Sequence, residues 1–329
     1  MPSTAAEPAV RVVVGIISLG QEVLIAQRPG PSHQGGKWEF PGGKLKGDET
    51  AQQALRRELA EELGIQVRSA VPLIQVQHSY ADRRVLLDVW RVIDFDGTPE
   101  GKEGQRIAWV RRDELRRIDF LAANQPIVRA VHLPSLYLVS DSRKFGRAGF
   151  MERLGRALQA GADLLQLREP DMAGPEYKAF AREVVNLCHR HKARVLLNSD
   201  PAWVAECGAD GVHLNAQRLR QLDSRPLGPE VWVAASTHDA EEIALASRLR
   251  VDFVVLSPVL MTRSHAQARP LGWQAFRDLT ARTNLPVYAL GGMRLEHMRQ
   301  ARDAGAQGLA MMSGIWEANH VEDVVTALL

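Results

Sequence analysis

The sequence has few cysteines, little net charge and no long apolar run, and each of these shortages excludes a class of protein. Cys188 and Cys207 are the only cysteines, and their spacing suits neither a disulfide scaffold nor a metal site, so a reducing compartment is expected. The net charge is only +2. Because readers of DNA or RNA usually carry a basic patch, we expect no nucleic-acid polymer as a partner.

Membrane and export signals are missing as well. The longest early apolar run, Val12 to Leu19, is too short to cross a bilayer. Met1 to Pro8 lacks the basic and apolar regions of a signal peptide. These features predict a cytoplasmic protein with no membrane partner.

The chain is nevertheless long and rich in apolar residues. Its 329 residues are 45% hydrophobic and 24% charged, which is the composition of a globular protein and enough chain for two domains. The sequence pattern changes at Pro134. We therefore expect one domain over residues 1–132 and a second over residues 134–329.

An amphipathic helix is the most informative element of the first domain. The pattern predicts it from about Glu49 to Leu63, with Asp48 as the N-cap and Gly64 in the left-handed position just past its end. An apolar stripe runs along one side of this helix and is expected to pack on a core. The stripe consists of Ala51, Ala54, Leu55, Leu59 and Leu63.

Three carboxylates share another face of the same helix. Glu58, Glu61 and Glu62 lie at i, i+3 and i+4, and they repel one another unless a cation lies among them. Mg²⁺ takes oxygen ligands and commonly shares its shell with substrate phosphates. A solvated acidic face is the alternative, but the glycine-rich approach at residues 40–43 and Arg57 beside the cluster favour a metal site.

The spacing of these residues resembles the Nudix box. Every fixed position of that motif is filled, by Gly43, Glu49, Arg57-Glu58-Leu59, Glu61-Glu62 and Gly64-Ile65. Over residues 8–132 the sequence is similar to the MutT-type 8-oxo-dGTP diphosphatases in three further segments, Trp38 to Lys44, Gly101 to Gln105 and Ala123 to Pro126. The resemblance implies an α/β/α sandwich with a mixed sheet.

The same resemblance implies a reaction and its ion. The expected enzyme is a pyrophosphohydrolase that uses Mg²⁺, or Mn²⁺ in its place, and directs water to the β-phosphorus of a nucleoside triphosphate, so that a nucleoside monophosphate and pyrophosphate leave. Its expected substrate is 8-oxo-dGTP, whose removal from the nucleotide pool prevents mutation. Metal ions polarise phosphoryl oxygens, and phosphoryl transfer otherwise needs mostly positioning and charge stabilisation.

By resemblance, a first group of residues holds the metal and serves the chemistry. Glu58 is expected to act as ligand or general base, Glu62 as a catalytic ligand and Arg57 as the group that orients the carboxylates. A surface ion pair is the alternative role for Arg57, and a solvated side chain is the alternative for Glu103. The full set of implied metal ligands is the Gly42 carbonyl, Glu58, Glu61, Glu62 and Glu103.

A second group is expected to bind the nucleotide. The resemblance implies that Phe40 offers main-chain hydrogen bonds to the base and that Asn124 reads the oxidised purine, since an amide both donates and accepts hydrogen bonds. Arg28 and Arg83 are expected near the phosphates. A helix cap is the alternative role for Asn124.

The second domain alternates short apolar runs with helical stretches. Near-continuous hydrophobic strands between helices indicate parallel β-structure that is buried on both faces. Eight such units fit a (β/α)8 TIM barrel, with a doubly wound open sheet as the alternative. The runs lie at residues 136–140, 164–168, 195–198, 211–214, 231–236, 253–257, 287–290 and 308–312.

In such a barrel the carboxyl ends of the strands hold the site. A polar rim is expected there, on which we also place Asp141 and His213. The glycine and serine after strands seven and eight lie where barrels commonly bind a phosphate. The residues expected to bind a ligand are Gln166, Arg168, Asn198, Ser236, Gly292 and Ser313.

The second domain resembles thiamine phosphate synthase and its TenI-like relatives across nearly all of its length. The resemblance rests on six segments, which are Tyr137 to Asp141, Gln166 to Arg168, Gly208 to Leu214, Ser236 to His238, Ala289 to Gly292 and Ser313. It implies a TIM barrel that handles phosphorylated intermediates of the thiamine pathway.

The charged positions of the synthase pattern are replaced. Pro170 stands where that pattern has a lysine, and Ser199 stands where it has a metal-binding aspartate, with Asp200 displaced by one residue. Arg218 replaces a second aspartate, and Met261 to Gln267 replaces a lysine-bearing segment. Losing these groups removes the means of stabilising a departing pyrophosphate.

We therefore expect the barrel to bind a phosphorylated thiamine-pathway ligand without synthase turnover, or to act as a scaffold. Three alternatives remain open. The protein is a bifunctional enzyme that also makes thiamine phosphate, the barrel is a sensor that controls the hydrolase, or the hydrolase acts on a thiamine-pathway pyrophosphate.

Overall fold

The computed structural model describes residues 9–29, 34–80, 83–262 and 269–328. The chain divides into two units, Met1–Leu133 and Pro134–Leu329, and each unit has its own hydrophobic core. Among the described residues, no helix has the length and apolar character needed to cross a bilayer.

The described part of the first unit contains seven strands in two sheets. They are β1 (Val10–Ile16), β2 (Ser18–Leu19), β3 (Glu22–Gln27), β4 (Trp38–Glu39), β5 (Gln66–Ser79), β6 (Arg84–Asp96) and β7 (Arg106–Arg111). In one sheet β1 runs parallel to β6, which pairs antiparallel with β5. In the other, β3 pairs antiparallel with β2, β4 and β7.

Two helices cover opposite faces of the sheet that contains β1. They are α1 (Ala51–Leu63) and α2 (Gln125–Val131), and α2 follows the 3-10 turns Arg112–Arg117 and Ala122–Asn124. Successive side chains of a strand point to opposite faces. In β1, Val13 belongs to the apolar cluster of Leu59 on α1, whereas Val14 belongs to that of Ile127 on α2. The first unit is therefore an α/β/α sandwich with a mixed sheet, as predicted.

Helix α1 ends where the sequence predicted but begins differently. Its N-cap is Thr50 rather than Asp48, because the Thr50 side chain accepts the N–H of Gln53 while the Gln53 side chain accepts that of Thr50, which forms a capping box. At the other end Gly64 has φ 71°, as expected. The predicted apolar stripe is buried at Ala54, Leu55, Leu59 and Leu63.

Eight parallel strands form the second unit and lie at the eight predicted runs. They are β8 (Leu136–Val139), β9 (Leu164–Leu167), β10 (Arg194–Leu197), β11 (Gly211–Leu214), β12 (Trp232–Thr237), β13 (Phe253–Leu256), β14 (Val287–Ala289) and β15 (Gly308–Met311). Because β15 pairs with β8, the sheet is a closed barrel. The TIM-barrel prediction is confirmed, and the open doubly wound sheet is excluded.

Helices alternate with the barrel strands. They are α3 (Ser142–Gln159), α4 (Gly174–Arg190), α5 (Trp203–Cys207), α6 (Ala216–Arg220), α7 (Ala240–Arg248), α8 (Gly272–Thr280), α9 (Met298–Asp303), α10 (Ser313–Trp316) and α11 (Val321–Leu328). A 3-10 turn at Leu295–His297 precedes α9. The strands are buried along nearly their whole length, which explains why they read as continuous apolar runs.

Aromatic rings fill the barrel interior. The ring centres of Tyr137, Phe253 and Tyr288 lie 5.2 to 5.6 Å apart. His213 belongs to this interior, with Nδ1 3.0 Å from the Tyr137 hydroxyl and Nε2 2.9 Å from Ser236 Oγ. Its side chain is buried rather than on the rim, which corrects its predicted position.

Candidate functional site

Arg57 on α1 lies at the centre of a network of carboxylates. Its Nε and Nη2 donate to Glu49 at 3.1 and 2.6 Å, and its Nη1 donates to Glu58 at 2.6 Å and to Glu61 at 3.2 Å. Nη2 also donates to the Lys44 carbonyl at 3.1 Å. The bonds to Glu49 and Glu58 raise the pKa of the guanidinium above its usual value. Arg57 thus holds three carboxylates at once, which a solitary surface ion pair does not do.

Glu62 has a different partner, in the glycine-rich segment. Its Oε2 accepts the Gly42 N–H at 3.0 Å. Burial raises the pKa of this carboxyl to about 8 against the opposing effect of that bond, and the charges of Glu103, Glu39 and Glu58 add to the rise. The charges of three other carboxylates therefore act on Glu62.

The loop that carries Glu103 is attached to the end of α1. The Lys102 N–H and the Gln105 Nε2 each donate to the Glu62 carbonyl at 2.9 Å. The Gln105 Oε1 in turn accepts the Glu103 N–H at 2.9 Å. The Glu103 side chain is exposed, yet this attachment keeps its charge near enough to raise the pKa of Glu62.

Two adjacent glycines allow the main chain to approach both the helix and the sheet. A Cβ on Gly43 would lie 2.2 Å from Glu58 Oε2, and a Cβ on Gly42 would lie 2.1 Å from the Val13 carbonyl oxygen. Gly42 also has φ 147°, a region that side chains rarely adopt. The Val13 N–H donates to the Gly43 carbonyl at 2.9 Å, which fastens the segment to β1.

The donor chemistry of this cluster fits a divalent ion. Oxygen ligands are what Mg²⁺ prefers, and a cation would offset the cost that burial and like charges impose on Glu62. As the side chains stand, no group of three Asp, Glu, His or Cys residues among the described residues could hold a metal ion. The predicted ligands are divided, since Glu58 and Glu61 turn to Arg57 whereas Glu62 turns to Gly42.

The predicted metal ligands differ in the groups that lie next to them. The charges of Glu58 and Glu103 both raise the pKa of Glu62, so each of these two ligands lies near Glu62. Glu61 shares Arg57 Nη1 with Glu58, its Oε2 also lies 3.5 Å from Lys46 Nζ, and 47% of its side chain is exposed. Glu61 thus has two cationic partners, Lys46 and Arg57, whereas Glu62 accepts from a main-chain N–H.

The two residues predicted to contact the base lie against each other. The Phe40 N–H donates to Asn124 Oδ1 at 3.1 Å, and both residues are buried. The Phe40 ring stacks on Phe120 with 5.0 Å between ring centres. Asn124 precedes α2, but its side chain makes no capping bond to that helix. The simple helix-cap role is therefore not the one that Asn124 has.

The two predicted phosphate-binding arginines share one neighbourhood. Arg28 Nη1 donates to both carboxylate oxygens of Glu39, at 3.0 and 2.8 Å. Burial raises the pKa of Glu39, and the Arg28 bond opposes that rise. The Arg83 guanidinium lies 6.0 Å from the centre of the Tyr80 ring, and burial raises the pKa of Tyr80 while the charges of Arg28 and Arg83 lower it. Sequence reasoning did not select Glu39 or Tyr80.

The barrel contains a cavity of about 590 Å³ at the carboxyl ends of its strands. Its lining includes His238 and Arg269, which were not among the predicted ligand-binding residues. All six that were predicted line it, namely Gln166, Arg168, Asn198, Ser236, Gly292 and Ser313. Asp141 lines a neighbouring cavity of about 340 Å³. Most of the predicted segment 261–267 lies outside the described residues.

Comparisons with known proteins match both units. A family model described as NUDIX domain matches residues 12–130, and one described as thiamine monophosphate synthase matches residues 136–315. The CTP pyrophosphohydrolase of Escherichia coli K12 is 39% identical over 121 residues, which are 37% of this chain and 90% of that protein. The thiamine-phosphate synthase of Azorhizobium caulinodans is 30% identical over 196 residues, which are 59% of this chain and 92% of that protein.

A solved structure agrees with the fold of the second unit. The thiamine phosphate pyrophosphorylase from Pyrococcus furiosus superposes with a TM-score of 0.50 at 22% identity, and the match covers 59% of this chain and 93% of that one. At that identity the match concerns the fold alone. The chain belongs to the thiamine monophosphate synthase family through residues 136–315, and it carries a NUDIX domain at residues 12–130.

Proposed function

We propose that the first unit is a Mg²⁺-dependent nucleoside triphosphate pyrophosphohydrolase whose substrate is 8-oxo-dGTP. The observation that carries the proposal is the cluster around Glu62, in which a half-buried carboxyl has other carboxylates and a glycine-rich segment as neighbours. The likeness to a CTP pyrophosphohydrolase supports a nucleotide substrate. Removal of an oxidised nucleotide would protect DNA replication from mutation.

Each side chain of the cluster has a part in this proposal. Glu58, Glu62 and Glu103 would hold the ion, joined by the Gly42 carbonyl and by Glu61 after rotation. When bound, Mg²⁺ supplies positive charge to the triphosphate. Glu58 is also the proposed base that takes a proton from the attacking water, since Arg57 fixes its other oxygen. Water attacks the β-phosphorus, and the bond from that phosphorus to the α–β bridging oxygen breaks. The nucleoside monophosphate is the leaving group, and the attacked β-phosphate is released with the γ-phosphate as pyrophosphate.

The proposed choice of base rests on Asn124 and Phe40. Asn124 Oδ1 faces the Phe40 N–H, so its Nδ2 is the group available to donate to a base. The Phe40 carbonyl is a main-chain acceptor on the same segment. An edge that accepts at one atom and donates at its neighbour, as an oxidised guanine does, matches such a pair. A site with buried polar groups rejects a ligand that leaves them unpaired.

A substrate panel tests the proposal. Purified protein is incubated with Mg²⁺ and 8-oxo-dGTP, dGTP, CTP, ADP-ribose or the thiamine precursors, and pyrophosphate, phosphate and thiamine phosphate are measured. We expect pyrophosphate from 8-oxo-dGTP, with kcat/KM at least about tenfold above that for dGTP. Equal turnover of the two would remove the oxidised-purine assignment, and no pyrophosphate from any nucleotide would remove the hydrolase.

The same panel decides the alternatives. Preferred turnover of CTP would assign a pyrimidine nucleotide, and preferred turnover of a thiamine-pathway pyrophosphate would assign that substrate. Formation of thiamine phosphate would support a bifunctional enzyme. A hydrolysis rate that changes when thiamine-pathway ligands are added would support a sensor role for the barrel.

A further inference from the structure

Lys46 lies in the turn that leads into α1. It occupies one of the five positions between Gly43 and Glu49 that the Nudix box leaves free, so the motif does not specify its side chain. Two bonds close the turn, in which the Lys46 N–H donates to Glu49 Oε1 at 2.5 Å and the Glu49 N–H donates to the Lys46 carbonyl at 3.2 Å. Gly47, with φ 53°, allows the chain to change direction there.

This turn is fastened to Arg57. Glu49 accepts from Arg57 Nε and Nη2 at 3.1 and 2.6 Å, and the Lys44 carbonyl accepts from Nη2 at 3.1 Å. The hydrogen bond from Arg57 is the main cause that lowers the pKa of Glu49, and the charge of Lys46 is a smaller one. The main chain of Lys46 is thus held by a carboxylate that Arg57 holds in turn.

The ammonium group of Lys46 reaches Glu61. Its Nζ lies 3.5 Å from Glu61 Oε2, and the same oxygen accepts from Arg57 Nη1 at 3.2 Å. One carboxylate oxygen therefore has two cations beside it. Glu62, the next residue of α1, instead accepts the Gly42 N–H at 3.0 Å. Two cations thus hold Glu61 on the side of the turn, away from the partner of Glu62.

A divalent ion that uses Glu61 must compete with both cations. Arg57 keeps Glu49 and Glu58 as partners when Glu61 turns to an ion, so its loss is partial. Lys46 loses the ion-pair partner of its ammonium group. An exposed ion pair stabilises only weakly, and its loss corresponds to a change of about two- to fivefold in a binding constant.

We propose that Lys46 is a positioning residue that competes with a divalent ion for the Glu61 carboxylate and so lowers the affinity of the first unit for metal. The inference rests on the proposed function, because it needs the ion at the cluster around Glu62, and it adds a group that regulates how tightly the ion is bound. Mg²⁺ commonly shares its shell with substrate phosphates. A lower affinity of the free protein therefore favours binding of the ion together with the nucleotide.

Titration of the full-length protein with Mn²⁺ alone tests the inference. Mn²⁺ takes the same oxygen ligands as Mg²⁺, and electron paramagnetic resonance counts the free ion. Salt of about 0.15 M screens exposed charges that lie more than about 8 Å apart. Binding that Glu62→Gln loses is assigned to the cluster. Wild type, Lys46→Gln, Glu61→Gln and the double variant form a double-mutant cycle.

Lys46→Gln should tighten the Glu62-dependent binding of Mn²⁺ about two- to fivefold. In the Glu61→Gln background the same change should alter the Kd by less than about 1.5-fold, because the carboxylate for which Lys46 competes is gone. Lys46→Arg keeps the charge and should bind Mn²⁺ no more tightly than wild type. Lys37→Gln is the matched control, since Lys37 forms an ion pair with Asp119 at the surface of the same unit. It should leave the Kd unchanged.

Three results would overturn this inference and leave the proposed metal site intact. They are equal tightening by Lys46→Gln in both backgrounds, no tightening in either, and tightening by Lys46→Arg. A lack of Mn²⁺ binding that depends on Glu62 would overturn the inference and the metal site together. Tm checks the fold of each variant. Should Glu61→Gln fail to fold, equal tightening by Lys46→Gln and Lys37→Gln would overturn the inference.

Discussion

Glu62 Oε2 accepts the main-chain N–H of Gly42 at 3.0 Å, across 20 residues of sequence. This bond joins the last turn of α1 to the glycine-rich segment. Glu58 and Glu61, on the same helix, instead accept from Arg57. Neighbouring carboxylates of one helix thus have different hydrogen-bond partners. We therefore expect substitutions at these carboxylates and at their partners to have different effects on activity.

Glu62→Gln should abolish Mg²⁺-dependent pyrophosphate release. The amide keeps the size of the side chain and can still accept the Gly42 N–H, so the fold should survive, but it lacks the negative charge that a metal ligand supplies. We expect kcat/KM to fall about 100-fold or more. The measurement is pyrophosphate release at varied Mg²⁺, with Tm to check the fold.

Glu114→Gln is the matched control for that variant, because Glu114 is exposed in a 3-10 turn of the same unit. It should keep the wild-type rate. Wild-type turnover by Glu62→Gln would remove Glu62 from the metal site.

Gly43→Ala should lower activity while the fold remains. The added Cβ would lie 2.2 Å from Glu58 Oε2, so the Glu58 carboxylate must leave its position beside Arg57. Misplacing a reacting group by about 1 Å can cost about 100-fold in rate, and we expect a loss of that order in kcat. Gly228→Ala is the control, since a Cβ there meets nothing within 4 Å. A kcat of the variant equal to wild type would show that the position of Glu58 is not needed.

The large elements of this protein were readable from the sequence, and α1 shows why. Its apolar stripe and its glycine end are set by local spacing, and both were predicted. The cap was misjudged because Asp48 and Thr50 are both good N-cap residues. Only the reciprocal bond with Gln53 selects Thr50. The barrel strands were found because burial on both faces makes each a continuous apolar run.

Other features depend on contacts between distant segments and could not be read from spacing. Glu39 meets Arg28 because β4 pairs antiparallel with β3, which brings residues 11 positions apart together. His213 was placed on the rim because it lies near the end of its strand. Strand side chains alternate in direction, and only the closed barrel shows that this one points inward to Tyr137.

Asn124→Ala should weaken both stability and base selectivity. The buried Phe40 N–H loses its acceptor, and a buried donor left unsatisfied costs about 1–3 kcal/mol in the free energy of unfolding. The ratio of kcat/KM for 8-oxo-dGTP over dGTP should fall because the proposed Nδ2 donor is gone. Urea unfolding and paired kinetics measure the two effects. Asn319→Ala, at an exposed position of the second unit, should change neither. An unchanged ratio would remove Asn124 from base recognition.

His213 should make the barrel sensitive to acid. Burial, with a smaller effect of the Arg168 charge, lowers the pKa of His213 to about 3, whereas the unfolded chain has a histidine pKa of about 6.5. Below about pH 6.5 the unfolded state therefore binds a proton that the folded state does not. The contribution of His213 to the free energy of unfolding is therefore fully present above that pH, and it is lost progressively as the pH decreases towards about 3.

The expected slope from His213 alone is at most about 1.4 kcal/mol per pH unit across that window. Urea unfolding of the second unit between about pH 7.5 and pH 5 measures it. His213→Gln removes the titrating group, so the free energy of unfolding of this variant should vary less with pH than that of wild type. It should also be lower at every pH, because the bonds to Tyr137 and Ser236 change. His191→Gln, at the C-cap of α4, is the matched control and should retain the wild-type slope. The same slope in His213→Gln and wild type would show that another group causes the acid sensitivity.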